Sequence, residues 1–432
     1  MLRQPRLGRQ NILALAGWLP ARIQANAATG VNLWRASTSN SHYGDRSRGR
    51  ARHSVRAVRL QAPQDRRARS DAPYQSGKMR IAGVSFPYAA YLLAAVSACI
   101  TVLATLPLWR KWCLRTGLVD EPGRRKIHDQ PIPLAGGLAV MTGLLVPTLL
   151  ACLVLWCRKS GGNTGQGPLI LSPTSPETGR LGLLDPESAF LLQYGLGRRA
   201  IELAGIFLGA FGILFVGWLD DKHELSPRAK FAGQFLVAAL VAASGARITL
   251  FVPSIVFSYA VTILWILTLI NAFNFMDNMN GLCTGLGAIG ACQFAIIAAA
   301  DSQYLVALIA FLTFGALLGF LPYNFPRARA FLGDAGSHLV GYLLAVLAIL
   351  PHFYTVRHPR RWAVLIPLLV LAIPLADLVW VVLIRWRIGQ PFYQGDTNHL
   401  SHRLVRRGFT RTQAVLVIWA AAEALALLAY LC

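Results

Sequence analysis

Long apolar runs separated by short polar loops dominate this chain, and they are too continuous to be the one-sided stripe of a soluble amphipathic helix. They fall near residues 84–108, 134–157, 201–219, 231–248, 254–270, 282–300, 304–321, 338–353, 362–384 and 413–431. Each is roughly 17–25 residues, the length that crosses a ~30 Å hydrocarbon core as an α-helix. Backbone N–H and C=O groups find no partner in hydrocarbon, so such runs must pair internally as helices. The pattern predicts an all-α, polytopic membrane protein with about ten transmembrane helices, its integral-membrane domain covering residues 81–432.

Loop charge sets the expected orientation. Arg110, Lys111, Arg115, Arg124, Arg125 and Lys126 follow the first run, and Arg385, Arg387, Arg403, Arg406, Arg407 and Arg411 follow the ninth. The positive-inside rule makes both loops cytoplasmic and both termini external. The loop with Arg357, Arg360 and Arg361 runs against the rule. The stretch 158–199 is rich in Gly, Ser, Thr and Pro and reads as an external loop with no chemistry of its own.

Composition supports the membrane reading: 55% of the 432 residues are hydrophobic and 14% are charged. The formal charge of +23 suggests a nucleic-acid binder until it is located. More than half of it lies in residues 1–80, an Arg-rich tail without periodicity that is expected to be disordered. Met79, just before the first run, is the expected true start. Nucleic acid is therefore not an expected partner. The seven cysteines form no C-x-x-C pair and mostly fall inside apolar runs, which makes them packing residues.

Five polar clusters interrupt the apolar pattern, each in or beside an odd-numbered loop, so all five are expected on the cytoplasmic face. Asp220 and Asp221 end the third run; adjacent carboxylates at a membrane boundary repel each other unless a cation joins them. The alternative is a simple polar helix end. Asn271, Asn274 and Asp277 would share one face of a continued helix, a costly stripe without a ligand or a partner helix. Asp334 lies between Gly333 and Gly336 at a helix start, which suits a phosphate or an ordinary N-cap. His399 and His402, three residues apart after Asp396, are too hemmed by Arg403, Arg406 and Arg407 for zinc; phosphate binding or proton transfer fits better. Arg124, Arg125, Lys126 and His128 either fix topology or hold phosphate, and the Pro131–Gly137 turn sets them against the second helix. Oxygen ligands, basic groups and a bilayer together imply phosphoryl transfer at a membrane surface, with Mg²⁺ preferred.

In these clusters the chain resembles the polyprenyl-phosphate N-acetylhexosamine-1-phosphate transferases. RKIHDQPIPLAGG, GWLDDKHELSPRAKFAGQ, NAFNFMDNMNGL, FLGDAGSHLVG and GDTNHLSHRLVRRGFT occur in family order across residues 80–432. The resemblance implies a phosphoglycosyl transferase of the bacterial inner membrane, with a cytoplasmic active site, and allows a homodimer. It implies transfer of N-acetylglucosamine 1-phosphate from the UDP-sugar to undecaprenyl phosphate, releasing UMP, as the first membrane step of an envelope polysaccharide such as lipopolysaccharide or a cell-wall polymer. The same reaction with another UDP-acetamido sugar or with UDP-MurNAc-pentapeptide is the alternative.

The resemblance also assigns roles. Asp220, Asp221, His399 and His402 match catalytic positions; Arg125, Lys126, His128, Asn271, Asn274 and Asp277 match substrate-binding ones. Asp334, with Asp277 or Asp221, matches the ligands of Mg²⁺, for which Mn²⁺ can substitute. The lipid phosphate would attack the β-phosphate in line, with Asp220 positioning or deprotonating it; a two-step route through an aspartyl phosphate stays open. Two positions depart from the bacterial pattern: Asn280 stands for an aspartate and Ser401 for a histidine. Eukaryotic dolichol-linked relatives share the Asn-Gly-Leu. The rival class is an ion-coupled transporter, which requires acids near mid-bilayer, and Asp377 is the one acid noted well inside an apolar run.

Overall fold

A computed structural model of the chain describes residues 87–122, 130–161, 186–250, 252–351, 353, 361–391, 393 and 395–431. The basic tail lies outside them, as do Arg124, Arg125, Lys126 and His128 with the roles expected of them.

The long apolar runs form helices α1 (Tyr88–Thr116), α2 (Gly136–Gly161), α4 (Ala200–His223), α5 (Pro227–Ser244), α6 (Ile255–Met276), α7 (Leu282–Ala300), α8 (Tyr304–Asn324), α9 (Gly333–Leu347), the pair α10 (Ile366–Val370) and α11 (Ala372–Arg387), and α13 (Arg411–Leu428). All ten predicted runs are thus helical. Among the described residues, however, seven helices are long and apolar enough to cross a membrane, or eight if the pair α10–α11, bent by 72°, is one span. Two fall short for identifiable reasons. The first turn of α5 carries Arg228 and Lys230, and α9 has only 15 residues, about 22 Å at 1.5 Å per residue.

Two further helices are short. Where an external loop was expected, α3 (Pro186–Arg198) forms, opened by a proline at the position where its missing N–H costs nothing. In the last polar cluster, α12 (Leu400–Arg406) follows His399. A two-residue antiparallel ribbon, β1 (Val119–Asp120) and β2 (Ile132–Pro133), closes the stem of the first basic loop. The Phe331 N–H donates to the Pro133 carbonyl (3.0 Å) and the Gly136 N–H to the Phe331 carbonyl (2.9 Å), fastening that stem three residues before Asp334.

The centre of the helical assembly is α9. Every residue from Ala335 to Leu347 is buried, against α4, α6, α7 and α2. Close approach at its start depends on two glycines: a Cβ on Gly217 of α4 would lie 2.5 Å from the Ala335 Cα, and one on Gly137 of α2 would lie 2.7 Å from the Gly336 nitrogen. Large exposed apolar residues such as Ile100, Leu149, Leu208 and Leu236 cover the periphery, as a lipid-facing surface requires. Within α13 the structure adds an acid to Asp377: Glu423 accepts from Gln293 Nε2 (2.6 Å), and Gln293 Oε1 in turn accepts from the Tyr430 hydroxyl (2.6 Å).

Candidate active site

The neighbouring carboxylates at the end of α4 serve different partners. Asp220 accepts from Lys230 Nζ (2.7 Å) and from the Leu225 N–H (2.9 Å). Asp221 turns to α9, its two oxygens accepting from the N–H groups of Asp334 (2.7 Å) and Ala335 (3.0 Å). A helix start leaves several N–H groups without intrahelical partners, and Asp221 satisfies two of them from another helix. The repulsion expected between the pair is thus relieved by an ammonium on one side and a helix terminus on the other.

Asp334 is the meeting point of three helices. Its Oδ2 accepts from Lys230 Nζ (2.9 Å), and its Oδ1 from Asn274 Nδ2 (2.6 Å), which also reaches Ser337 Oγ (3.0 Å). Lys230 therefore stands between Asp220 and Asp334, whereas the sequence implied a cation between Asp220 and Asp221. Asn271, one turn before Asn274, donates to Gln234 Oε1 and to the Leu267 carbonyl, both at 2.8 Å. The expected face is real for these two residues, but α6 stops at Met276, leaving Asp277 as its C-cap. Among the described residues no hydrogen bond is made by the Asp277 carboxyl. Burial, then the charges of Asp334, Asp221 and Asp120, push it up to about 8.

The histidine cluster is tied to the same helix end. His399 Nδ1 lies 2.7 Å from Asp377 Oδ2, while the Leu400 N–H donates to Asp377 Oδ1 (2.7 Å). The His399 ring meets Phe275 edge-on with centroids 5.4 Å apart, and the Arg385 guanidinium lies 4.8 Å over that same Phe275 ring. Arg385 also bonds Asp396 (2.7 Å). Burial would raise the Asp396 carboxyl, but Arg385 and the Asn398 N–H outweigh it and hold the group below the usual carboxylate range. His402 is held below its ordinary value by burial, then by His399, Arg406 and Arg411. Both departures from the bacterial pattern are engaged: Ser401 Oγ donates to Asn278 Oδ1 (2.6 Å), and Asn280 Nδ2 to the Pro326 carbonyl (3.1 Å).

Four of the five clusters are thus linked by direct contacts, and the stem of the fifth is fastened beside them. Asp377, the acid that favoured transport, anchors the histidine segment instead. Lys230, Gln234, Asp377, Arg385 and His338 were not singled out as site residues from sequence. A signal existed for Gln234 and His338: each is polar, four residues beyond a charged site residue, within an apolar run.

An oxygen-rich donor set suits a hard cation. Asp334 and Asp277, with the Asn274 side-chain amide, fit Mg²⁺ on one observation: among the described residues the Asp277 carboxyl has neither a proton donor nor a counter-ion, which a divalent cation would supply.

Residues 203–352 match the model of glycosyl transferase family 4. Over 356 residues the chain is 33% identical to a decaprenyl-phosphate N-acetylglucosaminephosphotransferase of Mycobacterium tuberculosis, covering 76% of this chain and 78% of the relative. It is 29% identical over 336 residues to a probable undecaprenyl-phosphate N-acetylglucosaminyl 1-phosphate transferase of Bacillus subtilis (76% and 81%). An undecaprenyl-phosphate alpha-N-acetylglucosaminyl 1-phosphate transferase of Escherichia coli K12 is 28% identical over 334 residues (73% and 77%). With the motifs, the helical membrane fold and this extent of identity in agreement, the chain belongs to glycosyl transferase family 4 and is a membrane transferase of sugar phosphate onto polyprenyl phosphate.

Proposed function

We propose that this enzyme transfers N-acetylglucosamine 1-phosphate from UDP-N-acetylglucosamine to undecaprenyl phosphate, with Mg²⁺, at the cytoplasmic face of a bacterial inner membrane. The product would begin an envelope polysaccharide. The convergence of Lys230 and Asn274 on Asp334, whose own N–H is held by Asp221, carries the reading, since it sets two carboxylates, a cation and a helix N-terminus within one hydrogen-bonded cluster.

In this mechanism an oxygen of the lipid phosphate attacks the β-phosphorus of the donor. The new P–O bond joins lipid and sugar phosphate, and the bond to UMP breaks with its electron pair leaving on UMP. Asp334 and Asp277 would hold Mg²⁺, which when bound neutralises donor diphosphate charge. Asp221 keeps α9 in place through the two N–H groups it caps, beside the metal-ligand role that the resemblance implies for it. Asp220, held by Lys230, orients the lipid phosphate or takes its proton. His402, uncharged at neutral pH because its proton is held weakly, accepts or donates a hydrogen bond at phosphate, and His399 is fixed beside it by Asp377. The basic residues of the first loop, Arg125, Lys126 and His128, complete the phosphate contacts in this reading.

The test is a lipid-extraction assay on membranes containing the chain, with radiolabelled UDP-N-acetylglucosamine, undecaprenyl phosphate, and Mg²⁺ or EDTA. The expected result is Mg²⁺-dependent labelled lipid, discharged by added UMP and lost in Asp334→Ala and Asp334→Asn. A well-folded protein that labels no lipid with this donor overturns the donor assignment.

A further inference from the structure

The two carboxylates that would hold the cation stand on different loops. Asp277 opens the loop from α6 to α7, and Asp334 lies where the loop from α8 enters α9. Among the described residues the Asp277 carboxyl makes no hydrogen bond, so its place depends on how the backbone of its loop is held. One side chain holds both loops. Asn324, the last residue of α8, accepts through Oδ1 from the Gly281 N–H and from Thr284 Oγ1, each at 2.9 Å, and donates through Nδ2 to the Ala330 carbonyl (3.1 Å). Gly281 is four residues after Asp277, and Ala330 is four before Asp334.

The direction of this amide is fixed by its partners. A backbone N–H can only donate and a carbonyl can only accept, so the oxygen must face Gly281 and the NH₂ must face Ala330. Asn324 and Thr284 are both buried. The loops also touch at this point: Gly281 has φ 76°, a conformation that suits glycine, and a Cβ there would lie 2.7 Å from the Phe325 Cβ. On the α9 side the Tyr323 carbonyl accepts from the N–H groups of Arg329 (2.7 Å) and Ala330 (3.2 Å), which folds that loop back onto the end of α8. Each buried hydrogen bond adds only about 0.5–1.5 kcal/mol net. What an apolar residue at 324 could not supply is the joint between Gly281 and Ala330.

We propose that Asn324 is a positioning residue for the divalent cation: by joining Gly281 to Ala330 it sets the Asp277 carboxylate at the right distance from that of Asp334. This rests on the Mg²⁺-dependent transferase reading above. Asn324 touches neither cation nor substrate and acts only through the two loops, and groups that orient metal ligands in this way govern metal affinity by about 10–100-fold.

The test is Mn²⁺ binding to the full chain in detergent, without donor or lipid, with free Mn²⁺ counted by electron paramagnetic resonance. The parent binds Mn²⁺ and loses it in Asp277→Ala. Asn324→Ala weakens binding about tenfold or more and adds nothing to Asp277→Ala. Thr284→Val leaves both loop contacts in place, so it lowers the melting temperature while Mn²⁺ affinity stays within about twofold, which separates positioning from mere stability. Asn324→Ser leaves a hydroxyl that is too short to span both partners; it shows the same weakening and serves if Asn324→Ala does not fold. In steady-state assays, Asn324→Ala raises the Mg²⁺ concentration for half-maximal rate about tenfold, while the KM for polyprenyl phosphate stays within about twofold. Parent-like Mn²⁺ affinity in a folded Asn324 variant, additive effects with Asp277→Ala, or Mn²⁺ binding indifferent to Asp277 overturns the proposal. Asn324-dependent Mn²⁺ binding in a protein that labels no lipid upholds it and sinks only the transferase reading.

Discussion

Lys230 lies 2.7 Å from Asp220 and 2.9 Å from Asp334, and its side chain is largely shielded from solvent. Removing one member of a buried ion cluster is worse than never having built it, because the remaining charges lose their compensation. Lys230→Met should therefore destabilise the protein by up to about 3–5 kcal/mol and abolish lipid labelling. Millimolar Mg²⁺ should raise the melting temperature of this variant more than that of the parent, read by thermal unfolding in detergent. His402 gives a pH signature. Its folded-state pKa is lowered, so the folded protein binds this proton more weakly than the unfolded chain does. The stability it contributes is complete above the unfolded value of about 6.5 and is lost as pH falls through that value toward the folded one. His402→Gln should shrink the loss of melting temperature between pH 8 and pH 5.5.

At the level of elements, the start of α9 is the part most sensitive to shape. A side chain on Gly217 would meet the backbone of Asp334 and Ala335, atoms that cannot swing aside. Gly217→Val should cost about 1–3 kcal/mol through overpacking and also displace Asp334, so labelling should fall further than stability, a difference seen by comparing both in one preparation. The spans were legible because hydrophobicity over twenty residues is a local property. The 72° bend between α10 and α11 was not read, although Pro374, three residues past the break at Leu371, cannot continue the α10 hydrogen-bond ladder and was its signal. Asp334 and Asn274 stood out as polar residues against apolar surroundings. Lys230 did not, because a lysine just after Pro227 reads as an interfacial charge. Asp377 suggested transport because its partner, His399, is 22 residues away and is brought close only by the fold. That Asp221 caps α9 was not legible, because nothing local reveals the helix N-terminus it meets.

Across the whole molecule, segments separated by more than a hundred residues are held together by a few polar contacts: Asp221 with α9, Lys230 with Asp334, Ser401 with Asn278. The outer helices present apolar side chains outward, and the polar groups of these contacts are gathered inward. The short, fully enclosed α9 has a consequence for how the protein is made. A 15-residue segment with an aspartate at its second position and a histidine four residues later lacks the length and apolarity to partition into a bilayer alone. Its favourable surroundings are α4, α5 and α6, all synthesised earlier, which offer Asp221, Lys230 and Asn274 as partners. Biogenesis must then hold those helices near the translocation machinery until α9 emerges. The residues that assemble the candidate site should thus also draw its central helix into the membrane, and substitutions among them should lower the yield of inserted protein as well as its turnover.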